Sequence, residues 1–516
     1  MAIGLLLAIA LGLAVGTGNW QRLTYVAIAI AGAIYVIRYI NATWKLSLLL
    51  CFLDFNYRPG NFDLSPVEVT AVLAFLMALI FSWQKMQRTQ PAILVESGIG
   101  ALNLVLLTWI IYVGIHLFYN VKDPFIPAFF SFSNAIKSYF RLFAPVAILW
   151  YFLRRPALVV TKPDFLNSIC KLCTVGLVFN IFVRIWAILI GGSDVDPIAG
   201  TSLGPTVFRI PFINATDNGY ALRELGPFSV LIGACILTGL SRSSRKTRRL
   251  GSFLLVAGFA GSVISAGRAT LILSICYLVI TLAIRKKWAA IIAGFVGIAL
   301  LVTFINVFSA FINDSTNIFL QRSLQMLMIN KGEAANSISS SSDWRLELFN
   351  RALNEWRSDH RIFWFGRATY GYSEEDDIAV EIYGGFDARM DSSLRRGATH
   401  NLITDLLVAY GLVGAVIYYS VIATLISFLW RLWRRATALL GPIQDLSLAL
   451  LIYSLGYIFV ANVGGGDFPI ELTWLLIVLV AAICHRLQPL MPAVTRAFLP
   501  FQGPRQADPL ALGRRP

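Results

Sequence analysis

Residues 250–308 read LGSFLLVAGFAGSVISAGRATLILSICYLVITLAIRKKWAAIIAGFVGIALLVTFINVF. Three apolar runs follow one another, separated first by Ser265-Ala266-Gly267-Arg268 and then by Arg285-Lys286-Lys287. Each run is close to the about 20 helical residues needed to cross a hydrocarbon layer roughly 30 Å thick. Consecutive helices that are apolar on every side have no place in a water-soluble core of ordinary size. The stretch therefore predicts helices solvated by lipid, and the pattern continues in both directions. Of the whole chain 57% is apolar and 14% charged, with a mean hydropathy of +0.69.

Basic residues cluster at Lys85 and Arg88, from Arg154 to Lys162, from Arg242 to Arg249, from Arg285 to Lys287, from Arg431 to Arg435, and at Arg486. Short loops rich in Lys and Arg stay in the cytoplasm, which assigns all six clusters to that side. Alternating between them predicts an all-α, polytopic membrane protein of about 12–14 transmembrane helices. The expected crossings lie near 2–16, 23–40, 44–54, 65–83, 98–118, 133–153, 165–191, 226–240, 250–266, 268–284, 288–308, 411–430, 445–462 and 470–484. The run at 44–54 is short for a crossing. The first run, Ile3 to Val15, has no basic leader and no cleavage site after it, so it is expected to be a span rather than a signal peptide.

This arrangement leaves two substantial outside segments, Gly192 to Leu225 and Asn313 to Thr399. The second holds thirteen acidic residues against ten Lys and Arg, so the net charge of +15 belongs mainly to the cytoplasmic loops. Membrane lipids are the partner such charge needs, and no nucleic acid is called for. The expected organisation is then N-terminal transmembrane helices over 1–225, transmembrane helices carrying an outer-face arginine over 226–308, and a large, helical periplasmic loop over 309–399. A motif helix and the last transmembrane helices cover 400–486, and a cytoplasmic tail covers 487–516.

Chemistry on the outer side has few candidates. His400 opens the segment His400-Asn401-Leu402-Ile403-Thr404-Asp405-Leu406-Leu407-Val408-Ala409-Tyr410-Gly411, in which His400, Asn401, Thr404 and Asp405 share one side at 100° per residue. With Thr399 as N-cap, His400 sits in the first turn, where the positive helix end disfavours imidazolium and attracts anions. A neutral imidazole beside an anion suits a general base, although a histidine at the membrane interface can equally make one structural hydrogen bond. Arg345 lies in a helix whose apolar stripe is Trp344, Leu348, Phe349, Ala352 and Trp356, and it falls within that stripe. Aimed toward the membrane body, its guanidinium needs a partner. Arg268 belongs near the outer turn of the hairpin between two apolar runs, a depth at which ionisable groups serve function or contact lipid phosphate.

Other signals are weaker. Asp194 and Asp196 form an acidic pair in an outside loop, and Gly464-Gly465-Gly466-Asp467 reads as an outside turn that could line a cavity. Cys170 and Cys173 form a lone CxxC without a second ligand pair, which favours small core residues over metal. Arg141 and Arg184 lie in apolar runs without a specific role. No phosphate-binding loop, HExxH or nucleophile elbow occurs, and no metal or cofactor site is expected.

His400-Asn401 followed by nine residues and Gly411, the arginine in Ser265-Ala266-Gly267-Arg268-Ala269-Thr270-Leu271, and Trp344-Arg345-Leu346 followed by Phe363-Trp364-Phe365-Gly366 together resemble the O-antigen ligase and O-antigen polymerase superfamily. Here the family's glycine-rich stretch is Gly366-Arg367-Ala368-Thr369-Tyr370-Gly371, which adds Arg367 to the candidates beside Asn401, Thr404, Asp405 and Asp467. The resemblance implies a GT-C-like membrane body in the bacterial cytoplasmic (inner) membrane, with its active site facing the periplasm. It implies an inverting, metal-independent glycosyltransferase that takes an undecaprenyl-diphosphate-linked oligosaccharide as donor and a glycan or lipid as acceptor, alongside other polysaccharide-assembly proteins. In that reading His400 is the catalytic base, and Arg268 and Arg345 bind the diphosphate. Chain length and the long outside loop favour a repeat-unit polymerase over a ligase acting on lipid A core or protein. A transporter or flippase for the same lipid-linked glycan is a rival of a different class, but no internal repeat supports it.

Overall fold

The computed structural model describes residues 49, 52, 98–121, 162–190, 215–239, 245–265, 268–309, 328, 334–367, 390, 393–394, 399, 401–435 and 441–463. Among these residues every regular element is a helix and there is no strand. In chain order they are α1 (Gly98–Val121), α2 (Lys162–Ile190), α3 (Ala215–Thr238), α4 (Arg245–Ile264), α5 (Arg268–Ile284), α6 (Trp288–Val307), α7 (Ala334–Ser358), α8 (His360–Phe365), α9 (Leu402–Arg435) and α10 (Gly441–Val463). The first six, with α9 and α10, occupy the positions of eight expected crossings. The crossings expected at 2–16, 23–40, 65–83, 133–153 and 470–484 lie outside the described residues, as does the run at 44–54 apart from Leu49 and Phe52, both helical.

Three of the helices are long and apolar enough to cross a membrane by length and composition, over Asn167–Ile185, Trp288–Val307 and Leu402–Arg431. Their outer surfaces agree with that composition. Ile292, Phe295, Val296, Leu300, Leu301, Phe304 and Val307 of α6 are all exposed, as are Val175, Val178 and Phe182 of α2. An apolar surface this continuous calls for a non-aqueous neighbour.

Two helices differ from their expected extent. α3 begins at Ala215, well before residue 226, because its first turns carry Asp217, Arg223 and Glu224 and hydropathy alone does not register them. α9 begins at Leu402 rather than 411, since the motif helix and the following span form one element that bends at Gly411.

Small residues draw the central helices together. On α3 and α4, Gly226 faces Gly258 and Gly233 faces Gly251, and a Cβ on Gly258 would stand 2.8 Å from the Gly226 carbonyl oxygen. Such approach is how membrane helices gain packing without a hydrophobic driving force between them. Several polar groups inside are paired. Ser262 and Ser274 hydroxyls lie 2.8 Å apart, and Tyr277 donates to the Tyr453 carbonyl at 3.1 Å while its ring covers Gly456. Cys170 and Cys173 are buried free thiols, Cys173 lying 3.3 Å from the Ser229 hydroxyl, so the CxxC serves packing.

Where α5 ends, Arg285 forms a buried ion pair with Asp445 of α10, and the carboxylate rests against Gly239 just past α3. One cation of the expected cytoplasmic cluster is thus a link between three helices. Removing one partner leaves the other charge buried, which costs about 3–5 kcal/mol, whereas replacing both with apolar residues is close to neutral. Asp445→Ala is therefore expected to lower the thermal midpoint of the detergent-solubilised protein sharply. Arg285→Met with Asp445→Leu is expected to recover most of it, as read by fluorescence-detected size exclusion after heating.

Candidate functional site

α9 starts at Leu402, and the Asn401 side chain caps it: Oδ1 accepts the N–H groups of Ile403 at 3.0 Å and Thr404 at 3.3 Å. This corrects the expectation of Thr399 as N-cap. Both residues are of capping type, and tertiary bonding decides between them, because Asn401 Nδ2 also donates to the Asn462 carbonyl at 2.6 Å. Asn462 is held in turn by Tyr419, whose hydroxyl donates to its Oδ1 at 2.7 Å. His400 therefore precedes the helix instead of lying in its first turn, and it lies outside the described residues.

Thr399 is fixed from the other side. Its N–H and its hydroxyl both donate to Asp405 Oδ1, at 2.7 and 2.6 Å, and its oxygen lies 2.5 Å from the Thr404 hydroxyl. Thr399, Thr404 and Asp405 are 1%, 0% and 2% exposed, so the polar side of the motif helix faces the protein interior. Of the secondary candidates, Asn401, Thr404 and Asp405 thus come together, and what they hold is the backbone on either side of His400.

Arg367 is also engaged. Its guanidinium pairs with Glu355 of α7 at 2.5 Å and donates to the Leu394 carbonyl at 2.7 Å, while its backbone N–H donates to the Val408 carbonyl at 2.7 Å. These bonds tie α7, the segment around Leu394 and the motif helix together. The same parts share a small core of Leu348, Ala352, Met390, Leu394 and Val408, with Trp344 and Trp356 packed on it.

The two glycines of the quoted motifs approach each other closely. Gly366 has φ 72° and Gly411 has φ 66°, both with ψ near 180°, a region essentially reserved for glycine. A Cβ on Gly366 would collide with the backbone of Ala409, Tyr410 and Gly411, and one on Gly411 with the backbone of Trp364 and Phe365. The end of α8 and the bend of α9 thus cross backbone to backbone. An unbroken helix would give the Val408 carbonyl the N–H of Leu412. At the bend that carbonyl accepts the N–H of Arg367.

The arginines expected to bind diphosphate lie on α7 and at the start of α5. Arg345 is exposed on α7, not part of the buried stripe, which corrects the expectation. Cover over α7 is deepest at Leu348 and Ala352 and thins one turn earlier, where Asp343, Leu346 and Glu347 are exposed as well. A guanidinium on a long stem reaches water from such a place. Arg268 is the first residue of α5, at the end of the α4–α5 hairpin opposite the basic residues Arg245 to Arg249, and its side chain lies outside the described residues. Asp467, Asp194 and Asp196 also lie outside them.

Sequence reasoning passed over Tyr112, His116 and Asn462. His116 is 6% exposed, and its Nε2 bonds the Phe365 carbonyl in the last turn of α8. The usable signal was a histidine inside an apolar run, the kind of ionisable residue that marks function or a specific pairing. For the glycine crossing the expected outcome is specific. Gly411→Ala adds about 1–3 kcal/mol of backbone strain and a clash, and should lower the thermal midpoint and the monodisperse fraction. Gly294→Ala on α6, where a Cβ would meet nothing within 4 Å, should leave both unchanged in the same assay.

Residues 253–419 match the family model described as O-Antigen ligase. The matched segment runs from α4 to the first turns past the Gly411 bend and includes Arg268, Arg345, Arg367 and the motif helix. A comparison with curated proteins finds no match. The apolar helices make this an integral membrane protein, and its residues 253–419 are similar to the O-antigen ligase family.

Proposed function

We propose, proceeding from the similarity of residues 253–419 to the O-antigen ligase family, that the protein transfers an undecaprenyl-diphosphate-linked glycan to an acceptor hydroxyl on the periplasmic face of the cytoplasmic membrane. His400 is the general base, and Arg268 and Arg345 bind the diphosphate. The acceptor oxygen attacks the anomeric carbon while His400 takes its proton. The bond from that carbon to the diphosphate oxygen breaks, and polyprenyl diphosphate leaves with the electron pair. A single displacement of this kind inverts the anomeric centre. Diphosphate is already a competent leaving group, so the protein has to neutralise its developing charge, which paired guanidinium groups do in bidentate fashion without a metal.

One observation carries the reading: both chain neighbours of the histidine are pinned, Thr399 to Asp405 and Asn401 to Asn462. A general base must be held within hydrogen-bond reach of the proton it removes, and a loop residue gains that constraint only from its surroundings. Thr404, Asp405, Asn401 and Arg367 accordingly act as supports. The reading carries with it about 12–14 crossings, cytoplasmic basic loops and a periplasmic segment over 309–399.

As acceptor we favour a second lipid-linked repeat, making the protein a polymerase, because two glycans need the room of a long outer loop. The similarity to the O-antigen ligase family favours the second reading, a ligase that loads lipid A core or a protein. Incubating purified protein with lipid-linked repeats alone separates them: chain growth is expected for a polymerase, and product only after another acceptor is added for a ligase. In either case His400→Ala should reduce transfer by roughly 10²- to 10⁴-fold while donor accumulates. Arg268→Ala and Arg345→Ala should lose donor turnover, with lysine restoring only part because a point charge lacks the fork. Wild-type product from His400→Ala would remove it as the base.

A further inference from the structure

The crossing of α8 and α9 presents two further carbonyls to the side, and a single helix supplies donors to both. Tyr112 of α1 donates its hydroxyl to the Tyr410 carbonyl at 2.7 Å. His116, one helical turn later, bonds the Phe365 carbonyl through Nε2. A carbonyl only accepts, so Nε2 carries the proton. The two rings lie 5.5 Å apart, and His116 stands edge-on to the Tyr410 ring at 5.7 Å. Trp109, a further turn back on the same face, meets Tyr410 at 4.9 Å and Tyr418 at 5.2 Å, one ring on each side of Gly411. The opposite face of α1 is lipid-like: Ile111 and Ile115 are 52% and 63% exposed.

These contacts meet at a joint that would otherwise be loose. A glycine with φ 66° imposes no side-chain restriction, and a six-residue helix such as α8 has little rigidity of its own. Packing alone could be supplied by phenylalanine at 112 and 116. What phenylalanine lacks is the donor, and a buried carbonyl left without one is unfavourable. The two donors are built on one rigid helix, at a spacing fixed by its pitch. Both donors meet the crossing from one side, and the half-helix 402–410 that they touch carries the cap Asn401 at its other end.

We propose that α1, which lies outside the segment matched to the family, is a required wall of the transfer site, and that His116 and Tyr112 are positioning residues acting on His400 through the Gly366–Gly411 crossing. The proposal rests on the transfer reading given above. Its test uses the full-length protein in lipid nanodiscs, with a lipid-linked glycan donor and its acceptor, and compares wild type with His116→Phe, His116→Gln, Tyr112→Phe and His400→Ala. For His116→Phe and Tyr112→Phe, turnover at saturating donor should fall about 10- to 100-fold with KM for donor unchanged within about twofold. Amide hydrogen exchange over 402–410 should quicken in both. His116→Gln, which keeps an N–H near the position of Nε2, should restore turnover and slow exchange.

Unchanged turnover in His116→Phe, a loss expressed in KM alone, or a loss that glutamine leaves unrepaired would overturn the proposal. If His116→Phe does not fold, Tyr112→Phe removes a single oxygen and decides by the same turnover and exchange criteria. If His400→Ala turns over like wild type, the assignment of His400 as the base fails instead. The exchange rates then still judge the brace: faster exchange over 402–410 supports it, and unchanged exchange refutes it.

Discussion

The backbone contact between Gly366 and Gly411 is the constraint on which the rest of the site depends. Two chain segments that carry separate motifs cross there without side chains between them, each in a conformation that only glycine holds without strain. Because Gly411 leaves helical geometry, α9 is two pieces, a buried half-helix that begins the motif and an apolar helix of the membrane body. The angle between the pieces is not an intrinsic property of either. It is set from outside by the hydrogen bonds that Arg367, Tyr112 and His116 make to the carbonyls around the crossing.

From that joint outward, order passes along hydrogen bonds to the residues flanking His400. The half-helix carries Asp405, whose carboxylate fixes Thr399, and its cap Asn401 reaches the last turn of α10 at Asn462. Arg367 adds α7 through Glu355, so the small core around Leu348 and Val408 closes over the same element. A chemistry that relies on a preorganised base and on guanidinium groups needs its frame fixed before substrate arrives, and a bend held by three separate donors provides one.

Much of the membrane body was legible in the sequence because its cause is local. Apolar length and basic flanks are properties of the segments themselves, and α5 runs over the very residues expected, 268–284. The start of α9 was misassigned since Thr399 and Asn401 are both good caps, and only Asn462, 61 residues away, chooses between them. Arg345 was expected in the stripe because the periodicity of α7 is regular, but periodicity does not say how far cover extends along a helix. Gly411 stood out as part of a motif, whereas its meeting with Gly366 leaves no periodic trace. His116 sat in an apolar run and was absorbed into the span.

In the proposed function, transfer chemistry occurs where the motif helix begins. The most direct measurement is photo-crosslinking with an undecaprenyl-diphosphate-linked donor that carries a photoreactive group on its first sugar, followed by mapping of the labelled peptides. Labels are expected within residues 399–405 and around Arg268, suppressed by excess unlabelled donor. Suppressible labels confined to the opposite end of the bundle, around the Arg285–Asp445 pair, would contradict it.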